Sequence, residues 1–223
     1  AERIADIAHQ LKTPLTSILG FSDLLQIKKE ISDESRIEYA GIIKEEASRM
    51  RTLSGKLMEL ITVGEAKLEW QQEDMAKLFA EIGTSLKVVA DKHNISLYCE
   101  SEEGMLWVDR ELFKSLLYNL VDNAMKASQE GGLIQVLGQF EEELFCIQVI
   151  DEGIGIPKEE IDKITQAFYM VDKVRGRANG GAGLGLALCA EIVSTHRGVM
   201  RFESQLGEGT CVFIRMKGGK AIA

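Results

Sequence analysis

A chain of 223 residues, 45% hydrophobic but only 6% aromatic and with two prolines, has room for one large domain or two modest ones and points to a helix-rich globular protein. Its formal net charge of −9 argues against general nucleic-acid binding, which needs a basic surface. The longest uncharged stretch, 178–190, is glycine-rich and shorter than the ~18 residues of a membrane span, and no secretory leader is visible.

In chain order, Ile4, Ala8, Leu11, Leu15, Ile18, Ser22 and Leu25 follow a 4-3-4-3 spacing, and so do Ala40, Ile43, Ala47, Met50, Ser54, Leu57 and Ile61. Sustained heptads predict two long helices packed nearly parallel to their neighbours. The first is already in phase at Ile4, so the chain reads as part of something longer. Polar "QIKKEISDES" separates the two helices, with Ser32 or Asp33 as the N-cap of the second. Ile7, Leu19, Leu24, Leu53 and Leu60 flank the seams, more than one partner helix covers, whereas two hairpins packed as a four-helix bundle would bury them. Residues 1–66 are therefore expected to form a dimerisation hairpin. The alternative is a hairpin packed on the chain's own second domain.

Within the first helix, "IAHQLKTPL" puts His9 on the polar side, where it is either a solvated side chain or a nucleophile. Gln10 stands where a carboxylate would be the natural partner of a reacting imidazole. Pro14 leaves the Gln10 carbonyl without its helical donor and is expected to bend the helix.

From about Glu69 the pattern changes to β-rich runs at 95–100, 133–140, 144–151, 199–205 and 210–216, with apolar helical segments near 75–90, 109–128 and 183–196. The second and third runs, and the last two, read as antiparallel hairpins. Strands and helices alternate too irregularly for a doubly wound sheet, so the expected fold is an α+β sandwich with helices on one face of a mixed sheet. Cys99, Cys146, Cys189 and Cys211 form no CxxC pair and read as buried thiols in a reducing cytoplasm. His93, in a polar turn, and His196, at a helix end that favours an imidazolium, read as structural or solvated.

Three stretches can carry chemistry. In "LLYNLVDNAMKAS" (116–128), Asn119, Asn123 and Lys126 share one helix face, which is either solvated or aimed at a ligand. An Asn oxygen suits Mg²⁺, and a lysine suits phosphate. In "VIDEGIGIP" (149–157), Asp151 leaves a strand as an acceptor for an exocyclic amine such as that of adenine, with Gly153 and Gly155 allowing close approach; an ordinary strand-to-helix turn would look similar. "GGAGLGLALCAEIV" (180–193) runs from a glycine loop into a helix whose N-terminus suits an anion, with Lys173, Arg175 and Arg177 nearby. No P-loop or Rossmann signature is present.

Taken in order, these stretches resemble the catalytic core of a bacterial two-component sensor histidine kinase. "AHQLKTPL" resembles its H-box, 116–128 its N-box, "DEGIGIP" its G1 box, "AFYMVDK" (167–173) its F-box, "GGAGLGLAL" its G2 box and "SQLGEGT" (204–210) its last glycine motif. The resemblance implies a helical hairpin, four-helix on dimerisation, over 1–66, followed by a Bergerat-type α+β sandwich ATP-binding domain over 67–223. A linker near 64–74 would let the second reach the first.

It also implies a protein-histidine kinase that uses ATP and Mg²⁺ to phosphorylate itself on His9 and passes the phosphoryl group to an aspartate of a response regulator. A phosphatase role toward that regulator would involve Thr13. By resemblance, Asn123 would ligand Mg²⁺ with Asn119 beside it, Lys126 would contact phosphate, and Asp151, helped by Thr210, would read the adenine amine. Gly181, Gly183, Leu184 and Gly185 would form the hinge and cradle of a lid over 165–183, which carries Phe168, Tyr169, Lys173 and Arg177. The partners implied are a second copy and a response regulator, with no nucleic acid and no membrane contact by this stretch. The setting would be cytoplasmic, as the inner part of a membrane-anchored sensor. Two departures stand out: Gln10, where the family often has a carboxylate, implies slower autophosphorylation, and Ala182 replaces a frequent hydroxyl. The rivals are another ATPase of the gyrase and chaperone superfamily and a non-catalytic dimeric scaffold.

Overall fold

The computed structural model describes residues 2–27, 31–65, 67–171 and 183–217. Helices α1 (Glu2–Ile27) and α2 (Asp33–Glu65) pack against each other as a hairpin, with the Phe21 and Tyr39 rings 5.3 Å apart. Ser32 is the cap of α2: its hydroxyl accepts the Ser35 N–H at 3.2 Å, and Asp33 and Glu34 place carboxylates at the positive pole of the helix. Pro14 sits buried inside α1, which continues through it.

The apolar excess of the hairpin divides in two. Leu15, Leu19, Leu24, Ile37, Met58 and Ile61 are between 37% and 74% exposed. Leu53 and Val63 of α2 are buried, and Leu60 packs on the core of the second half of the chain. The C-terminal end of α2 thus rests on that half, while the rest of the hairpin keeps an uncovered apolar surface.

Instead of a linker over 64–74, α2 runs to Glu65 and Trp70–Asp74 is a strand, β1. It pairs antiparallel with β3 (Met105–Asp109), from Trp70 opposite Asp109 to Asp74 opposite Met105. Both strands escape the alternation pattern, since each is only five residues long and β1 is largely polar. Helix α3 (Met75–Lys92) is capped by Asp74, which accepts the Lys77 N–H, and α4 (Arg110–Ala127) by Asp109, which accepts the Leu112 N–H.

The main sheet has the order β2-β4-β5-β7-β6, from β2 (Ser96–Ser101), β4 (Leu133–Glu141), β5 (Leu144–Asp151), β6 (Val199–Gln205) and β7 (Gly209–Lys217). Only the β2–β4 pair is parallel. Phe79 of α3, Phe113 of α4 and Phe145 of β5 meet with ring centroids 5.9–6.5 Å apart, all three fully buried. Each such side chain contributes about 1.5–3 kcal/mol of burial, which makes this cluster the anchor of the helices on the sheet. Helix α5 (Gly185–Thr195) lies against α4 on one side and α2 on the other. The expected mixed-sheet sandwich is what forms.

His196, just past α5, departs from its expected charged state. It is 1% exposed beside Trp70, its Nε2 accepts the Asp109 backbone N–H at 3.1 Å, and its Nδ1 lies 2.8 Å from the Ile192 carbonyl. An acceptor at Nε2 requires the proton on Nδ1, so the ring is neutral, and burial lowers its pKa.

Candidate functional site

Phe113, Leu117, Leu120 and Val121 bury one side of α4 in the core, and another of its faces carries Asn119, Asn123 and Lys126. They line a cleft of about 690 Å³ together with Asp151, Gly155, Tyr169, Gly183, Leu184, Gly185 and Thr210. Its far wall is the hairpin: Gln10, Thr13 and Pro14 of α1, and Arg49, Leu53 and Lys56 of α2. His9 immediately precedes Gln10 in α1; its side chain lies outside the described residues, as do Lys173, Arg175, Arg177, Gly181 and Ala182. Phe168 and Gly153 stand next to the cleft rather than in its lining.

The polar groups of the cleft have distinct states. Asn119 is 8% exposed; its amide donates to the Ser115 carbonyl at 2.9 Å, and its Oδ1 accepts from Lys56 Nζ at 2.8 Å. Lys126 Nζ pairs with Asp122 Oδ2 at 2.7 Å. Among the described residues, Asn123 Nδ2 is buried with no hydrogen-bond partner. A buried donor left unpaired costs about 1–3 kcal/mol, so an acceptor from outside the chain would be favoured there.

The start of α5 adds to this. A Cβ on Gly185 would lie 3.3 Å from Asn123 Nδ2 and 3.4 Å from Asn119 Oδ1, so the first turn of α5 abuts both asparagines. That turn has no side-chain cap, which leaves backbone N–H groups and the positive end of the helix dipole facing the cleft. Orphan donor, uncapped helix start and Lys126 together suit the oxygens of a polyphosphate. Among the described residues there is no group of three or more His, Cys, Asp or Glu side chains able to hold a metal ion; an asparagine oxygen is a ligand Mg²⁺ accepts alongside phosphate oxygens and waters.

At the other end, Asp151 closes β5, paired across the sheet with Thr210 of β7. It is 7% exposed, and its carboxylate accepts the Gly153 N–H at 2.9 Å. Burial raises its pKa, opposed by the backbone N–H groups of Gly153 and Thr210. The side chains around it are tied down: Ser204 Oγ lies 2.8 Å from Thr210 Oγ1 and accepts the Ile156 N–H at 2.8 Å. Gly155 packs so tightly on the β6–β7 turn that a Cβ would fall 2.0 Å from the Gln205 carbonyl oxygen. The result is a buried anionic acceptor on a rigid sheet edge, suited to an amine or amide donor.

On the side of the cleft leading to 172–182, Tyr169 hydrogen-bonds the Glu160 carboxylate, with Lys163 Nζ 5.9 Å from its ring centre. The sequence does not flag Lys56 or Glu59, an i, i+3 pair in a helix that reads as solvated on that face. Lys56 meets Asn119, sixty-three positions away, and Glu59 accepts a hydrogen bond from Ser115 Oγ. No local signal pairs them.

Comparison with known proteins covers both halves. Residues 1–65 match the family described as His Kinase A (phospho-acceptor) domain, and residues 108–219 the family described as Histidine kinase-, DNA gyrase B-, and HSP90-like ATPase. Sensor histidine kinase WalK of Bacillus subtilis is 31% identical over 217 residues, covering 95% of this chain and 35% of that protein. Histidine protein kinase DivJ of Caulobacter vibrioides is 31% identical over 222 residues, covering 97% of this chain and 37% of that protein. The chain thus spans just over a third of the length of these curated relatives. Among solved structures, histidine kinase ThkA in complex with response regulator protein TrrA matches with a TM-score of 0.78 at 26% identity, over 98% of this chain and 62% of that one. Acinetobacter baumannii histidine kinase AdeS matches with a TM-score of 0.72 over 95% of this chain and 98% of that one; at 18% identity this is a likeness of fold.

Proposed function

The chain belongs to the sensor histidine kinases, as a catalytic core of that family, and on that premise we propose that it phosphorylates itself on His9 with ATP and hands the phosphoryl group to an aspartate of a response regulator. The observation that carries this is the cleft itself. One wall includes Gln10 of α1, the residue next to His9, and the opposite wall holds Asn119, Asn123, Lys126 and Asp151.

The proposed roles follow from the chemistry of each group. Asp151, with Thr210 beside it, accepts the adenine amine, and Gly153 and Gly155 let the base approach. Asn123 Nδ2, the first turn of α5 at Leu184 and Gly185, and Lys126 meet phosphate oxygens. Lys173, Arg177 and Gly181, with Phe168, Tyr169 and Gly183, belong to the segment that covers the nucleotide. Asn123, with Asn119 beside it, would hold Mg²⁺, which would supply neutralisation of the triphosphate charge. An imidazole nitrogen of His9 forms the bond to the γ-phosphorus as the bond to the ADP oxygen breaks, and the ring gives up its proton. Phosphoryl transfer asks mainly for such positioning and charge neutralisation.

Residues 1–66 are proposed as the dimerisation and phosphotransfer hairpin and 67–223 as the ATP-binding domain. The exposed Leu15, Leu19, Leu24 and Ile37 support a second copy on the hairpin. Thr13, one turn beyond His9 and in the cleft wall, is proposed for dephosphorylation of the regulator. No described helix is long and apolar enough to cross a membrane. The cysteines are all free, which supports a cytoplasmic setting for this core.

Incubation with γ-labelled ATP and Mg²⁺ tests the proposal. Acid-labile label on the wild-type chain, absent from His9→Ala and Asn123→Ala, is the expected result. A wild type that takes no label overturns it.

A further inference from the structure

Lys56 does not belong to the ATP-binding half, yet its ammonium sits on an oxygen that the proposed function places beside the nucleotide's cation. From α2, Nζ lies 2.8 Å from Asn119 Oδ1 and 3.9 Å from Asp122 Oδ2. The Asn119 amide donates in turn to Ser115 Oγ at 3.3 Å, and the Ser115 hydroxyl donates to Glu59, one turn beyond Lys56. Two residues of α2 and two of α4 are thereby joined by a chain of three hydrogen bonds between the hairpin and the second half of the chain. Apolar packing backs it, with Val63 buried and Leu60 against the core. This chain of bonds is partly sheltered: the Lys56 side chain is 27% exposed.

We propose that Lys56 is a nucleotide-sensitive latch: it holds α2 on α4 through Asn119 Oδ1, and Mg²⁺–nucleotide competes with it for that side of the cleft. The inference rests on the ATP reading above and adds what the hairpin does to that site. An ammonium bound to Asn119 Oδ1 takes the acceptor nearest the proposed cation position, and its charge repels a divalent ion placed beside it. Asp122 already has Lys126 as a partner at 2.7 Å, so it is not stranded when Lys56 leaves. Coupling of this kind is reciprocal: if nucleotide opens the latch, the closed latch weakens nucleotide binding by the same factor.

Two measurements on the whole chain test this. The first is the Kd for Mg²⁺–AMP-PNP. Lys56→Met is expected to bind at least about fivefold more tightly than wild type, the low end of ordinary coupling, while Lys56→Arg, which keeps the charge and the donor, stays near wild type. The second is crosslinking of Gly64→Cys with Glu191→Cys, positions close enough that a Cβ on Gly64 lies 3.5 Å from the Glu191 carboxylate. Disulfide formation is expected to be fast without nucleotide and several-fold slower with saturating Mg²⁺–AMP-PNP; Lys56→Met is expected to slow it without nucleotide. An unchanged or weaker Kd for Lys56→Met, or a crosslinking rate that nucleotide does not alter, overturns the latch and leaves the ATP reading standing. A wild type that binds no nucleotide overturns the ATP reading and the competition together.

Discussion

Phe168 donates its backbone N–H to the carbonyl of Gly183 at 2.7 Å, joining the two sides of the stretch 172–182 at the edge of the cleft. Gly183 holds φ at +67°, and a Cβ there would fall 2.7 Å from both the Phe168 carbonyl carbon and the Tyr169 carbonyl oxygen. An alanine therefore meets two penalties: the left-handed backbone, about 1–2 kcal/mol, and a collision with backbone that cannot swing aside. Gly183→Ala is expected to part this bridge and weaken Mg²⁺–ATP binding by about tenfold or more, the equivalent of roughly 1.4 kcal/mol. Equilibrium titration with a fluorescent ATP analogue reads it, and an unchanged Kd would show that the bridge does not matter to the site.

Gln10 is half-buried in the wall of the same cleft. A carboxamide can orient a ring N–H through its oxygen, but it lacks the charge that steadies an imidazolium-like transition state. Gln10→Glu is expected to speed autophosphorylation by several-fold, roughly 1 kcal/mol of transition-state stabilisation, without changing the Kd for ATP. Single-turnover labelling with γ-labelled ATP separates the two quantities. A rate equal to or below wild type counts against the role given to this position.

What the sequence made legible, and what it did not, divides by the range of the interaction. The two long helices, the five main strands and the three helices of the sandwich all show in local periodicity, because each buries one face and that face repeats at 3.6 or 2 residues. Strand β1 does not: "WQQED" has no alternation worth the name, and what makes it a strand is pairing with Met105–Asp109 some thirty-five positions away. The hairpin's fate was legible only in part, since seam residues do not say which surface covers them, and Leu60 and Val63 turn to the sandwich while Leu19 and Leu24 do not. In the cleft, Asn119, Asn123, Asp151 and Gly185 were visible as odd residues in apolar or glycine-rich surroundings. Lys56 was not, because a lysine on a polar helix face is the ordinary case, and only its distance to Asn119 sets it apart.

His196 gives a stability prediction with a defined sign. Its neutral ring is held by an N–H donated to Nε2 and by Nδ1–H donated to Ile192, while Asp109 is the acidic neighbour that partly offsets burial. The folded pKa lies below the unfolded value of about 6.5, so the unfolded state binds the extra proton more readily. The contribution is complete above pH 6.5 and is lost as pH falls through the folded pKa. Protonation would also set Nε2–H against the Asp109 N–H. Thermal melts from pH 8 to pH 5 are expected to show a fall in Tm below about 6.5. His196→Leu is expected to be less stable at pH 7.5 yet to lose that part of the slope; an identical slope in the variant would assign it to other groups.

Asp151 makes the site and the fold pull in opposite directions, and Asp151→Asn separates them. Burial raises the pKa of this carboxyl above the usual 3.8, so the native state binds a proton more readily than the unfolded one does. By linkage, stability then falls as pH rises through the folded pKa, and at pH 7 the ionised carboxylate is a net cost to the fold. An asparagine keeps the shape and an oxygen to accept the Gly153 N–H, and it removes the buried charge. The nucleotide-free Asp151→Asn protein is therefore expected to melt no lower than wild type at pH 7. Its affinity for ATP is expected to fall by about 10- to 100-fold, since a hydrogen bond to a charged acceptor contributes roughly 1.5–3 kcal/mol and the amide can present a donor to the donor amine of the base. Calorimetric melting and ATP titration of the same preparation give both numbers. Loss of binding with an unchanged or raised Tm ties Asp151 to recognition of the base; loss of both would make it a structural residue, and retention of binding would move the base elsewhere in the cleft.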